Sequence, residues 1–395
     1  MSLYVRPGVM TLDDLARYRT VDREPTAIQY RGNDVYGMAP PSSGGSTVGE
    51  ALNILEGFPL SSEARELATH QYLEASRYAF ADRNSFIGDP AFVMNLPLAG
   101  LLSDSFAAER RALIGETAAP GVVPAGNPTD DPKPPADTTV GAARVGSTTN
   151  MTVSDRFGNV VEYTFTIEQT GGNGMVVPGY GFILNNELTD FTLDGTGASP
   201  DVANQVHGGK RPRSSIAPTI VLHDGKPFVA TGSPGGATII TTVLQILMNR
   251  LDLGMTLPQA IAAPRASQRN AVNTDVEQAF LDQTDLVAAL TARGHHFAAP
   301  AEIGAATGIE FLGDGQTLAA AEPVRRGGGS AMVVSAGALA TFFVVGYAAL
   351  SVPVLGRGIA LQYLSPRVTL LIFGVVVGLG ILAAAPTLLR GSARR

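Results

Sequence analysis

The chain has 395 residues, 45% of them hydrophobic, which suits one large domain or two ordinary ones with a real core. It holds no cysteine, and this excludes disulfides, thiolate catalysis and cysteine-ligated zinc. The net charge of −7 is unevenly spread: residues 334–395 hold five of the 28 basic residues and no acid, leaving 23 against 35, a net −12, on the first 333, a balance that argues against a nucleic-acid partner.

Met1 to Pro7 contains no long apolar run and is not expected to be a signal peptide. Residues 11–110 read as mostly helical. Thr11 with Asp14, and Thr47 with Glu50, form capping-box patterns ahead of apolar runs, and a longer helix is expected over about 63–82. Between them, the Pro- and Gly-rich stretch 37–45 reads as a loop. Residues 1–115 are thus expected to form a helical region.

Residues 116–147 read as a linker, because Pro120, Pro124, Pro128, Pro132, Pro134 and Pro135 block regular structure. Composition alone fits an ordinary spacer. The linker ends, however, at Ser147–Thr148, where a β-branched run begins. That boundary also suits self-cleavage exposing Thr148 as a new N-terminus. Such a residue carries a hydroxyl and a free amine, so it can be nucleophile and base at once.

Residues 148–333 read as the catalytic region and open β-rich. Segments 150–155 and 160–167 flank Arg156-Phe157-Gly158, a hairpin loop. Pairing centred on Phe157 sets Thr148 opposite Thr166, where directly opposed Cβ atoms lie roughly 4.5–5.5 Å apart. A second hairpin is expected over 219–230, turning at Asp224-Gly225 as a type I′ turn. Helices are expected over 237–253 and 285–293, each stopped by a glycine, and Gly313-Asp314-Gly315 reads as a turn.

The tail, 334–395, reads as a membrane helical hairpin. Residues 327–356 hold no charge, and 368–389 form an uncharged run of 22 residues, about the length that spans a bilayer core. The competing reading is a pair of buried core helices. The tail reading makes the lipid bilayer a partner and places the protein in a membrane.

Four groups carry candidate chemistry. Ser214 and Ser215, at a loop-to-strand junction, can bind a carboxylate or simply cap a turn. Glu187 and Asp190, three residues apart, suit a substrate ammonium or form a solvated acidic turn. Gly235 and Gly236 run into a helix start and offer backbone amides to an oxyanion, or make a plain strand-to-helix turn. The five histidines, His70, His207, His223, His295 and His296, show no metal-ligand spacing, and the adjacent pair is expected at the surface. No metal or other cofactor is expected.

Segments 148–168, 184–191, 210–219 and 231–243, with Tyr30-Arg31-Gly32, residues 40–45 and Ala81-Asp82-Arg83…Gly88-Asp89-Pro90 upstream, together resemble γ-glutamyltranspeptidase over roughly residues 8–333. The resemblance implies an α+β fold: an N-terminal nucleophile hydrolase αββα sandwich, here incomplete, with the two C-terminal transmembrane helices added. It implies cleavage of Ser147–Thr148 into two fragments that stay together. Thr148 would attack the γ-carbonyl of a γ-glutamyl compound such as glutathione, with Thr166 positioning it. Glu187 and Asp190 would hold the substrate α-amine, Ser214 and Ser215 the α-carboxylate, and Gly235 and Gly236 the oxyanion. Water, an amino acid or a peptide amine would accept the acyl group. Glu168 stands where the family commonly has asparagine, and is expected to bind substrate through the ammonium. Asn150 stands where histidine is usual. The tail resembles the last two helices of a major facilitator transporter. The alternatives are an inactive membrane-anchored remnant and a related cephalosporin-type acylase.

Overall fold

The structure is a computed structural model and describes residues 10–129, 146–193, 203–299, 301–313, 315–325 and 328–335. In chain order, α1 (Leu12–Arg17) is opened by the Thr11/Asp14 capping box read in the sequence. It is followed by β1 (Thr26–Tyr30), β2 (Asn33–Gly37), α2 (Gly44–Glu56), α3 (Arg65–Phe86), α4 (Leu98–Leu101) and α5 (Asp104–Arg111). Then come β3 (Gly146–Ser154) and β4 (Val160–Gln169), a 3₁₀ turn at Glu187–Asp190, β5 (Thr219–His223) and β6 (Lys226–Gly232). The rest is α6 (Thr238–Leu251), α7 (Leu257–Ala262), β7 (Ala266–Ser267), β8 (Asp275–Val276), α8 (Gln278–Leu281), α9 (Thr284–Ala292), β9 (Thr307–Gly313), β10 (Gln316–Ala321) and β11 (Ala331–Ser335).

Seven strands form one sheet in the order β1-β2-β5-β6-β9-β10-β11, each antiparallel to its neighbour. Because strand residues alternate between faces, β9 shows what lies on each side. Thr307 meets the β3–β4 hairpin through Asn150, while a Cβ on the next residue, Gly308, would touch Leu257 of α7. Helices α2, α6 and α7 therefore cover one face, and α3 packs on α2 and α6 behind them. Their Leu52, Leu55, Tyr72, Leu73, Ile239 and Ile246 bury the main core with Val35, Val221 and Val229 of the sheet. The β3–β4 hairpin lies on the other face. It buries Thr148, Asn150, Thr152 and Thr164 and exposes Val153, Val161, Tyr163 and Phe165. Its polar side is the inner one: Asn150 and Thr152 bond Thr307, and Gly232, lacking a side chain, lets Asn150 and Glu162 approach the middle of the sheet.

The register within this hairpin sets Thr148 against Thr166, as pairing centred on Phe157 requires, and the second hairpin turns at Asp224 and Gly225 with φ of 50° and 72°. The upstream region departs from the mostly helical expectation. Residues 26–37 are a hairpin whose turn is Arg31-Gly32, so Tyr30-Arg31-Gly32 marks a strand end. Residues 116–126 are held against the helical layer: the amides of Ala119, Val123 and Gly126 donate to Glu74, Asn270 and Asp82. His295 is buried, with its Nε2 2.8 Å from Nδ1 of His70, rather than on the surface. Burial pushes its pKa down to about 3.

Membrane placement is corrected. Among the described residues no helix is long and apolar enough to cross a membrane. The uncharged run that begins at 327 contributes Ala331–Ser335 to the sheet as β11, paired with β10, so its apolar pattern there serves a strand. The remainder of the tail, including the segment likened to transporter helices and the 368–389 run, lies outside the described residues. The reading of the chain as a bilayer-bound protein is withdrawn.

Candidate active site

Thr148 lies on the inner face of β3, and its hydroxyl donates to Oγ1 of Thr166 at 2.9 Å. The Thr166 hydroxyl also accepts from the backbone N–H of Glu168 at 2.8 Å, which fixes it independently of Thr148. Beside Thr148 the ladder is irregular. Gly146 pairs with Gln169 and Thr148 with Thr166, so β4 carries one extra residue there. Glu168 takes up the bulge with a φ of 70°. This turns its carboxylate out of the ladder to accept from Nδ2 of Asn186, and Asn186 Oδ1 in turn accepts from the Gln169 N–H at 3.0 Å. The 3₁₀ turn that follows carries Glu187 and Asp190.

These three carboxylates lie close enough to disturb one another. Burial, then the charges of Asp190 and Glu168, push Glu187 up to about 7. Burial and the Glu168 charge raise Asp190 to about 6 against the opposing pull of Arg83 and Arg213. A cluster of acids that resists ionising when alone is one that gains from an added cation.

The opposite wall is basic. Arg83, in the last turn of α3, is buried and donates from Nη2 to Oγ of Ser215 at 2.8 Å, from Nε to Oγ of Ser43 at 2.8 Å and from Nη1 to Asn84 at 2.9 Å. The Ser214 hydroxyl accepts from the Ile216 N–H at 3.2 Å. The loop that bears both serines is pinned by Ser43, whose N–H and Oγ both donate to the Ser214 carbonyl at 2.9 and 2.8 Å. Close approach makes this possible: a Cβ on Gly44 would lie 2.7 Å from Ala217. Arg213 donates to the carbonyls of Arg83 and Asn84 at 3.0 and 3.2 Å, capping the end of α3. Asn204 ties the two walls together, donating to the Asp190 carbonyl at 2.7 Å and accepting from the Arg213 N–H at 2.8 Å.

Further along β3, Asn150 donates to Glu162 at 2.6 Å and to Thr307 at 2.9 Å, and accepts from Thr164 at 2.6 Å. Burial raises Glu162 to about 8. Gly232, at the end of β6, packs directly on Asn150 and Glu162 and has no room for a Cβ. Gly235 and Gly236 follow three and four residues later. Their φ values of 143° and 59° are left-handed, and they lead into the first turn of α6.

The structure thus brings Thr148 to Thr166, sets Glu168, Glu187 and Asp190 against Arg83 and Arg213, and joins Ser215 to Arg83. Gly235 and Gly236 follow Gly232 in the chain at the approach to α6, and Gly235 packs against Thr238 and Gly304. Arg83 and Arg213 are the members that sequence reasoning missed. Arg83 was visible only as part of the Ala81-Asp82-Arg83 motif, and nothing in the spacing showed that it faces inward. No group of His, Asp and Glu among the described residues can hold a metal ion.

A family model described as Gamma-glutamyltranspeptidase matches residues 3–332. The glutathione hydrolase proenzyme of Bacillus subtilis (strain 168) is 40% identical over 312 residues, covering 75% of this chain and 50% of that protein. The acylase ACY 1 proenzyme of Pseudomonas sp. (strain SE83) is 35% identical over 333 residues, covering 84% and 55%. Among solved structures, the cephalosporin acylase from Bacillus halodurans superposes with a TM-score of 0.70 at 30% identity, covering 83% of this chain and 55% of that one. The chain spans about half the length of the curated relatives it matches. The mixed α/β fold is accordingly of the N-terminal nucleophile hydrolase type, and the chain belongs to the γ-glutamyltranspeptidase family.

Proposed function

We propose that this chain becomes a threonine-nucleophile enzyme by cutting itself between Ser147 and Thr148, and that it moves γ-glutamyl groups from glutathione-like donors to water or to the amine of an amino acid or peptide. The observation that carries this reading is the 2.9 Å bond between the Thr148 and Thr166 hydroxyls beside an acidic and a basic wall. In the first step the Thr148 Oγ adds to the Ser147 carbonyl carbon and the amide becomes an ester. Water then splits the ester, leaving a carboxylate on Ser147 and a free α-amine on Thr148. The amine supplies the base that the histidine-poor site otherwise lacks.

In turnover the amine takes the hydroxyl proton as Oγ attacks the donor's γ-carbonyl. The Gly235 and Gly236 amides receive the oxyanion, and the departing amine takes the proton back. Water or an acceptor amine then releases the γ-glutamyl group and restores Thr148. Glu168, Glu187 and Asp190 hold the donor's ammonium, and Ser214 and Ser215 hold its carboxylate. The residues before and after Ser147–Thr148 form the two fragments, which remain associated, as relatives named proenzymes suggest.

The acylase relatives offer a second reading, action on glutaryl-type amides. A glutaryl group has the same carboxylate but no ammonium. Burial and neighbouring charge raise the Glu187 and Asp190 carboxyls, and this favours the ammonium-bearing donor. The test compares release of a chromophore from γ-glutamyl-4-nitroanilide with release from the glutaryl analogue. Higher kcat/KM on the γ-glutamyl compound supports the transferase reading. Preference for the glutaryl compound supports the acylase, and no release from either by self-cut protein contradicts both.

A further inference from the structure

Arg83 is an ion placed where an ion alone is costly. It is 7% exposed, and among the described residues no carboxylate lies within ion-pair distance of it or of Arg213. Burial, then the nearby positive charge of Arg213, push the Arg83 pKa well down, and Asp190, beyond ion-pair distance on the facing wall, offsets this only in part. The same chain pairs its other deeply buried arginines: Arg77 with Glu74, Arg110 with Asp82, Arg265 with Glu322, and Arg325 with Glu277. A buried guanidinium without a carboxylate in direct contact is expensive to keep, so the exception points to an anion supplied from outside.

The hydrogen bonds say where that anion sits. The Ser215 hydroxyl accepts from Arg83, and the Ser214 hydroxyl accepts from the Ile216 N–H. Each oxygen has a fixed donor on one side, so each hydroxyl proton is turned to the other side and must find an acceptor there. Two hydroxyl donors backed by a guanidinium fork suit a carboxylate. Ser43, which accepts from Nε of Arg83 and donates to the Ser214 carbonyl, holds arginine and serine loop in one unit.

We propose that Arg83 is a positioning residue that selects donors bearing a free carboxylate, acting through Ser215, whose hydroxyl it fixes as a donor to that carboxylate. This rests on the γ-glutamyl reading above and adds the residue that makes the carboxylate a requirement. Asp190, on the facing wall, keeps the ammonium of the same substrate at the other side, so that the two charges of an α-amino acid are read separately.

The test uses the whole chain and two donors differing only in the carboxylate: γ-glutamyl-4-nitroanilide and 4-aminobutyryl-4-nitroanilide. For Arg83→Gln, KM for the first is expected to rise at least about 30-fold, the low end for truncating one partner of a buried charged pair, with a much smaller change in kcat. KM for the second is expected to stay as it was, so the preference collapses. Ser215→Ala should do the same to a lesser degree, and the double variant should be no worse than Arg83→Gln. Self-cleavage on a denaturing gel reports folding in every variant. Should Arg83→Gln fail to fold, Arg83→Lys, which keeps the charge but loses the fork, is read in the same way. Equal weakening of both donors, or an intact preference, overturns the proposal. Calorimetric binding of free L-glutamate against 4-aminobutyrate needs no turnover. A wild type that prefers glutamate through Arg83 yet releases no chromophore would sink the enzymatic reading and leave this one standing, and a wild type that binds both alike sinks this one.

Discussion

At the scale of single residues, the proposed site sets acidic groups against basic ones, the arrangement a zwitterionic donor would need. Glu187 and Asp190 are raised to about 7 and about 6 by burial and by their neighbours. Below those values they hold protons and offer less to an ammonium. The account therefore predicts that KM for a γ-glutamyl donor falls as pH rises from 5 to 8, and that KM for a glutaryl amide shows no such fall. Steady-state kinetics at four or five pH values decides it. The Thr148–Thr166 pair was legible because strand pairing obeys a period of two and its centre was marked by Phe157-Gly158. Arg83 was not, because an arginine at the end of a 22-residue helix looks in sequence like any solvated cation. Only the tertiary contact with a loop 132 positions away gives it a role.

At the scale of elements, β3, which carries the proposed nucleophile, is held to the central sheet by polar contacts rather than by apolar packing. Asn150, Glu162 and Thr307 make the seam, and Gly232 lets it close. Gly232→Ala should loosen the hairpin at a cost of about 1–3 kcal/mol, the usual range for overpacking, and slow self-cleavage; thermal melting and a cleavage time course measure both. Glu162 holds a proton in the folded state up to about pH 8, against an ordinary value near 4.5. Between those values the folded chain binds more protons than the unfolded one, so this group's contribution to stability falls as pH rises through that window. Glu162→Gln is expected to flatten that fall, read as a smaller difference in urea midpoint between pH 5 and pH 8. Hairpins with a strong turn signal, such as Asp224-Gly225, were legible. The β1–β2 hairpin was not: its strands are five residues each, with only Thr26 and Tyr30 of β1 fully buried, and so carry little alternation.

At the scale of the molecule, the sheet itself crosses the proposed cut. β1 and β2 precede residue 148, and β2 pairs with β5, which follows it. Helix α2 packs in one core with α6. A chain cut at Ser147–Thr148 should thus give two bands under denaturing conditions and one species by native size exclusion. Deep in the same body, Arg265, Glu322, Arg325 and Glu277 form a buried ionic cluster joining the end of α7 to the segment after β10. Arg265→Met leaves a buried carboxylate short of a partner and should lower unfolding free energy by about 3 kcal/mol or more, measured by urea denaturation. The family was legible because its motifs are spread collinearly along the chain. The start of the uncharged run misled because such a run serves an edge strand such as β11 as readily as a spanning helix.

The claim beneath all of this is that Thr148 ends up with a free α-amine. Amino-terminal sequencing of the purified protein, alongside Thr148→Ala, tests it most directly. The account predicts a second terminus reading Thr148-Thr149-Asn150-Met151 in the wild type and none in the variant. A wild type that stays a single 41.0 kDa chain, or a variant cut at the same bond, would contradict it.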